Sequence, residues 1–256
     1  MGRRRLCGAA RCVVLAAGLH AALACAAAGP RVVAGESGVF CRRAGTAVAG
    51  VMCELVGELQ SRLRYDGGIE LVPHARLKAL MRQPASNTFF LPAVAGLDNG
   101  PALQTVIEML HDEYVIVSSS RADPRPATLQ TARGFDRVGV LRGSSAQLEA
   151  VRQGFSNLEP AASQETCAKK LDLGRIGGWI STWNGARYSA GAAGIDVGTL
   201  VRGARVRDAR LILVASADVP AAEIARWRRA FQAMRADGTV GRLYRRYDIE
   251  AARAAP

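Results

Sequence analysis

The stretch RVVAGESGVFCRRAGTAVAGVMCELVGELQSRLRYDGGIELVP (Arg31–Pro73) decides the fold class. RVVAG (Arg31–Gly35) reads as a short strand ending in Gly, followed by a loop through Glu36, Phe40 and Cys41. In AVAGVMCELVGELQSRL (Ala47–Leu63) the residues Val48, Val51, Met52, Leu55, Val56, Leu59 and Leu63 recur at helical spacing, so one stripe of this segment is to be buried. Tyr65-Asp66-Gly67-Gly68 stops that helix. IELVP (Ile69–Pro73) is a second strand, HARLKALMR (His74–Arg82) a short helix, and NTFFLPAVA (Asn87–Ala95) a third strand. The order strand, helix, strand, helix, strand is the signature of a parallel sheet with helical crossovers.

Beyond that unit GLDNGP (Gly96–Pro101) breaks the pattern, and PALQTVIEML (Pro101–Leu110) reads as a short helix or an irregular segment. YVIVSSS (Tyr114–Ser120) is a strand, and RADPRPATLQTAR (Arg121–Arg133), rich in Pro and Arg, is an exposed loop. A second α/β unit starts at RVGVL (Arg137–Leu141). It continues through helices over 145–153 and 163–172, with a loop between them, to the strand GWIST (Gly178–Thr182). RLILVAS (Arg210–Ser216) is a further strand. PAAEIARWRRAFQAMRADG (Pro220–Gly238) and TVGRLYRRY (Thr239–Tyr247) are closing helices. In the first of these Ile224, Trp227, Phe231 and Met234 recur at 3–4 spacing and must pack on the core. The chain crosses into the second unit near Tyr114–Ser119 and returns near Arg210–Ser216. Two extended crossings make a hinge with a cleft between lobes.

The chain has 256 residues, 49% of them hydrophobic and only 5% aromatic, which is enough material for a core built mainly from Ala, Val and Leu. Its start is that of a secretory signal peptide: Arg3, Arg4 and Arg5, the apolar run CVVLAAGLHAALAC (Cys12–Cys25), then the small residues Ala26-Ala27-Ala28. Cleavage is expected near Ala28 or Gly29, with a periplasmic product. Ala22-Leu23-Ala24-Cys25 weakly resembles a lipoprotein box, which leaves a lipid anchor on Cys25 as the alternative. Removing residues 1–28 takes away four arginines and no acid, so the formal charge of +12 becomes +8. The remaining excess is spread out and is almost all Arg, since Lys78, Lys169 and Lys170 are the only lysines. With no basic stripe and no interleaved aromatics, nucleic acid is not an expected partner. In an oxidising compartment Cys41 and Cys53, close in sequence, are the chosen disulfide; three buried thiols are the alternative.

The string FQAMRADGTVGRLYRRY (Phe231–Tyr247) resembles the end of bacterial periplasmic solute-binding proteins of the family 3 type, where a helix, an "lr-dGt" turn and a "kY" close the chain. VGVLRGSS (Val138–Ser145) resembles that family's second-lobe strand and ligand turn, KKLDLGRIGGWIST (Lys169–Thr182) its "L--GriDa" strand entry, and ELVPHARLKAL (Glu70–Leu80) its "PWaRal" segment. The resemblance implies a two-lobed α/β protein of the type 2 periplasmic-binding fold, hinged on two crossing strands. Lobe one would be residues 29–114 and 211–256, and lobe two residues 115–210. It also implies a monomer that captures a small solute, often an amino acid, for a membrane import complex of the ABC type. Two charged grips of the amino-acid binders are missing. AGLDNGPALQ (Ala95–Gln104) lacks the Arg that pairs with a ligand carboxylate. Where the ammonium-gripping Asp belongs, this chain has Ser181, Thr182 and Trp183.

The candidate ligand residues follow from these positions. Ser144 and Ser145 stand at a helix start, where hydroxyls cap the helix and free N–H groups meet an anion. Arg76, after the second strand, is a carboxylate or phosphate grip or a solvated helix arginine. His74 replaces the family's Trp. Glu36 would accept a cationic group, and Phe40 would wall the pocket or join the core. Asp98 and Asn99 occupy the loop of the missing Arg, and Trp183 would stack on a flat ligand or fill the hinge side. Catalysis has little support: RGSSA is not a nucleophile elbow, no phosphate-loop Lys follows Gly143, and no metal motif occurs, so no cofactor is expected. The alternatives to solute capture are a sensory or degenerate relative, and a dehydratase- or lyase-like enzyme on the same scaffold. A cleft lined by Arg76 and Ser144 would favour a binder, and a collapsed cleft a degenerate relative.

Overall fold

In the computed structural model residues 29–84, 87–98 and 103–250 are described; the expected export signal, Cys25 and Asn99 lie outside them. In chain order the elements begin with β1 (Arg31–Gly35), the hairpin strands β2 (Arg42–Ala44) and β3 (Ala47–Ala49), and α1 (Val51–Leu63). β4 (Ile69–Val72), α2 (His74–Leu80) and β5 (Thr88–Val94) follow. β1 lies between β4 and β5, parallel to both, as the strand–helix alternation requires. The first helix starts at Val51 rather than Ala47. Ala47–Ala49 pair with Arg42–Ala44, and Gly50, at φ 110°, turns the chain between hairpin and helix. A Cβ at Gly50 would stand 2.6 Å from the Phe40 carbonyl oxygen, so only glycine allows this close approach. Cys41 and Cys53 form a disulfide with Cα atoms 5.3 Å apart, which ties the start of the hairpin to α1.

The chain then enters β6 (Leu103–Ser119), α3 (Leu129–Arg133), β7 (Val138–Leu141), α4 (Ser145–Arg152) and β8 (Leu158–Ala161). α5 (Gln164–Asp172), β9 (Gly178–Thr182), α6 (Trp183–Ala192), β10 (Leu200–Ser216), α7 (Ala221–Ala236) and α8 (Thr239–Arg246) complete it. One eight-stranded sheet has the order β4-β1-β5-β10-β6-β9-β7-β8. Its centre is the antiparallel pair β6–β10, each strand 17 residues long, about 55 Å of extended chain. β5 pairs with the Leu211–Ala215 end of β10, and β9 with Tyr114–Val117 of β6. The two halves of the sheet thus hang on opposite ends of one long ribbon. Four register shifts along that ribbon bend it.

Pro101–Leu110, read as helix or irregular, runs into the first part of β6 from Leu103 onward. Its Val106, Ile107, Met109 and Leu110 are buried in the sheet, where β10 supplies the backbone partners that no local pattern reveals. β8 fell in an expected loop because it carries Pro160, a residue a sheet accepts at its edge, and β8 is the edge strand. α3 lies within the expected Pro/Arg-rich loop. In α7 Ile224, Trp227, Phe231 and Met234 are buried, and Trp227 meets Phe89 of β5 edge-on at 4.6 Å. Cys167 is a buried free thiol on α5, and burial pushes its pKa up to about 12, which leaves it unreactive.

Candidate functional site

Leu141 ends β7, and Arg142-Gly143-Ser144 turn the chain into α4. Gly143 has φ +69°, and a Cβ there would come within 3.0 Å of the Ala75 Cβ on α2, so the turn of one half of the sheet abuts a helix of the other. Ser144 caps α4 by accepting from the Gln147 N–H at 3.1 Å, and the Gln147 side chain accepts from the Gly143 N–H at 2.7 Å. Two N–H groups expected to face an anion are therefore satisfied by the chain itself.

Ser145 does the reaching across. Its hydroxyl donates to Asp98 Oδ2 at 2.7 Å and accepts from Lys78 Nζ at 3.0 Å. Lys78 Nζ lies 2.5 Å from the same carboxylate oxygen, which also accepts from the Val94 N–H at 2.7 Å. Both charged side chains are only 8% exposed. Burial depresses the Lys78 pKa, and the Asp98 charge opposes that shift. Tyr114 is buried beside Ser145, and desolvation pushes its phenol far up.

Around this knot lies a crevice between the halves of the sheet. Its enclosed part, lined by Phe40, His74, Lys78, Tyr114, Ser144 and Ser145 among others, has a volume of about 30 Å³, room for one or two waters. Two open grooves flank it. One, about 320 Å³, is bordered by Lys78, Arg82, Asp98 and the first turns of α4. The other, about 290 Å³, is bordered by Glu36, Arg42, Arg43 and His74 from one side and by Ser163 and Glu165 at the start of α5 from the other. Both ring nitrogens of His74 are buried with no partner among the described residues. Its pKa is pushed down to about 3, first by burial and then by the Lys78 ammonium, so the ring is neutral.

Six of the eight expected residues meet in this crevice: Glu36, Phe40, His74, Asp98, Ser144 and Ser145. Arg76 and Trp183 do not. His74 and Lys78 stand four apart and share the crevice face of α2, which turns Arg76 outward into solvent. Trp183 opens α6 on the hinge side, where its Nε1 donates to Glu250 at 2.8 Å and the Arg202 guanidinium lies 5.4 Å from its ring centre. That hinge cluster also holds Arg202 at 2.5 Å from Glu113, and Asp112, which accepts from the Asn184 side chain at 3.0 Å. Among the residues of the knot, the one that sequence reasoning missed is Lys78. Two signals were available: it is four residues past His74, and it is one of three lysines among 34 basic residues.

No family model matches the chain, and no curated protein sequence matches it. Solved structures do. An ABC uptake transporter substrate-binding protein from Streptococcus pneumoniae with bound histidine is similar at a TM-score of 0.74 and 12% identity, over 86% of this chain and 93% of that one. A histidine kinase sensor domain with similarity to periplasmic binding proteins has a TM-score of 0.69 at 14% identity, over 85% and 95%. The ancestral amino-acid-binding protein AncCDT-1, a precursor of cyclohexadienyl dehydratase, has a TM-score of 0.69 at 15% identity, over 86% and 95%. The chain has the two-lobed α/β fold of the type 2 periplasmic binding proteins, hinged on its long β6–β10 ribbon. Among the described residues no helix is long and apolar enough to cross a membrane.

Proposed function

We propose that this is an exported solute-binding protein of the family 3 type, which captures a small polar or anionic solute in the crevice between its lobes. Lobe one is residues 29–114 with 211–256, lobe two is residues 115–210, and residues 1–28 are the export signal. The carrying observation is the convergence of Glu36, Phe40, His74, Asp98, Ser144 and Ser145, from distant parts of the chain, on one crevice. A solute touching both sides stabilises the closed form, because only closure lets both lobes contact it. Its onward partner is an ABC-type import complex. The substrate-binding neighbour with bound histidine supports an amino-acid-like or organic-acid solute.

A sensory reading has one observation in its favour: the knot of Lys78, Asp98 and Ser145 joins the lobes without any solute, and the enclosed cavity is about 30 Å³. A closed form of that kind would present one fixed surface to a membrane receptor, and the sensor-domain neighbour accords with it. Chemistry on a substrate has less support, since the enclosed space beside His74, Lys78 and Tyr114 holds no more than water.

A thermal-shift screen of residues 29–256 against amino acids, organic acids, polyamines and sugars separates the readings. A solute at a hundred times its Kd adds about 2.7 kcal/mol, or roughly 5–11 °C for a chain of this size. A hit that is lost in Ser145→Ala supports capture. A folded, ligand-free chain that responds to no class of solute refutes capture and leaves the sensory reading.

A further inference from the structure

Buried polar atoms without partners are rare in folded proteins, and each one asks for an explanation. Six side-chain atoms are buried and unpartnered among the described residues, and three of them border the groove on the Glu36 side: Arg42 Nε and both ring nitrogens of His74. Arg42 is held in place. The residue before it is bridged to α1 through the Cys41–Cys53 disulfide, and its guanidinium lies 5.5 Å from the ring centre of Tyr188 on α6, across the crevice. Yet no carboxylate pairs with it among the described residues, whereas the half-buried or buried Arg62, Arg187, Arg202 and Arg207 each have one. A fixed, partly desolvated guanidinium beside a neutral imidazole is a carboxylate grip in want of a carboxylate.

We propose that Arg42 and His74 together bind the carboxylate of the solute in the groove of about 290 Å³ between the β2–β3 hairpin and the start of α5. This rests on the solute-capture reading and relocates the grip: the loop where the missing Arg was expected carries Asp98, which is already bonded to Lys78 and Ser145. Arg42 supplies paired N–H donors, and neutral His74 supplies one more. Glu165, whose carboxylate among the described residues meets only the Ser189 hydroxyl at 3.5 Å, faces the same groove and is placed to receive an ammonium if the solute has one. Glu36 and Arg43, 4.0 Å apart, pair with each other at the rim and add no net charge.

The test is calorimetric titration of residues 29–256 with three probes of similar size: lactate, L-alanine and ethylamine. Lactate or L-alanine is expected to bind, and ethylamine not to. Arg42→Gln should weaken carboxylate binding by tenfold to a hundredfold, the worth of a charged hydrogen-bonded contact. Thr46→Ala, at the exposed turn of the same hairpin and outside the groove, should leave it unchanged, which controls for damage to the hairpin. Tighter binding of L-alanine than of lactate, abolished by Glu165→Gln, identifies an amino acid as the source of the carboxylate; equal binding identifies an organic acid. Carboxylate binding that survives Arg42→Gln but is lost in Ser145→Ala overturns this grip and leaves the capture reading standing. So does binding of sugars or polyamines in the broad screen with no binding of either carboxylate. If nothing binds in either experiment, both fall.

Discussion

Asp98→Asn is the most informative single change. In the native chain the Lys78 ammonium has Asp98 Oδ2 at 2.5 Å and the Ser145 hydroxyl at 3.0 Å, and both charged side chains are 92% buried. Replacing the carboxylate by a neutral amide leaves a buried ammonium with no opposite charge, and breaking such a pair costs about 3–5 kcal/mol. Lys78→Met strands the carboxylate instead, although Val94 N–H and the Ser145 hydroxyl still donate to it, so this variant should fall near 3 kcal/mol. The double variant removes both charges. Its cost should lie below the sum of the singles by about 2–3 kcal/mol, because neither orphaned charge remains. Urea unfolding of the four proteins, with unchanged slope, measures all of these values. Singles that each cost under about 1 kcal/mol, or effects that add within about 0.5 kcal/mol, would refute the claim that Lys78 and Asp98 act as one buried, coupled pair.

Two further predictions concern stability. The Cys41–Cys53 bridge closes a loop of sequence separation 12, worth about 3 kcal/mol in the unfolded chain, so the double Ala variant should melt roughly 6–12 °C lower. A change under about 2 °C in calorimetry would count against it. Burial raises the Asp112 carboxyl to about 6 from an ordinary 3.8, while the N–H groups of Glu113 and Asn184 pull it the other way. Because the folded pKa is the higher one, its stabilising effect is complete below about pH 4 and is lost as pH rises through about 6, an effect of about 3 kcal/mol. The stability of the wild type relative to Asp112→Asn should therefore fall across that window, and a difference independent of pH contradicts the assignment.

The candidate site was only partly legible. Ser144 and Ser145 could be placed because a helix starts there directly after a strand, and Asp98 because it occupies the loop in which the family resemblance puts a ligand-gripping Arg. Arg76 was misplaced and Lys78 missed for one reason: the crevice face of α2 is set by where the helix lies on β1, and two residues along a helix is the difference between inside and outside. Arg42 had no signal, since its strand falls in the segment read as a loop and only the partner strand, Ala47–Ala49, was read as the start of a helix.

What the sequence by itself determined is the alternation of elements. Residue spacing within 5 to 20 positions specifies strand, helix and turn, and that alternation restricts the first unit to a parallel sheet with right-handed crossovers. It also held the apolar stripe of α7 that seats Trp227 against Phe89. The tertiary structure alone decided the rest: that β6 and β10 are single 17-residue ribbons, that Pro160 sits in an edge strand, and that Lys78 on α2 reaches Ser145 on α4 across 67 positions of chain. Those outcomes depend on which distant backbone or charge becomes a neighbour. Hydrogen bonds and buried ion pairs act over a few ångströms, so their partners are fixed by the fold and are not encoded in any local period of the chain.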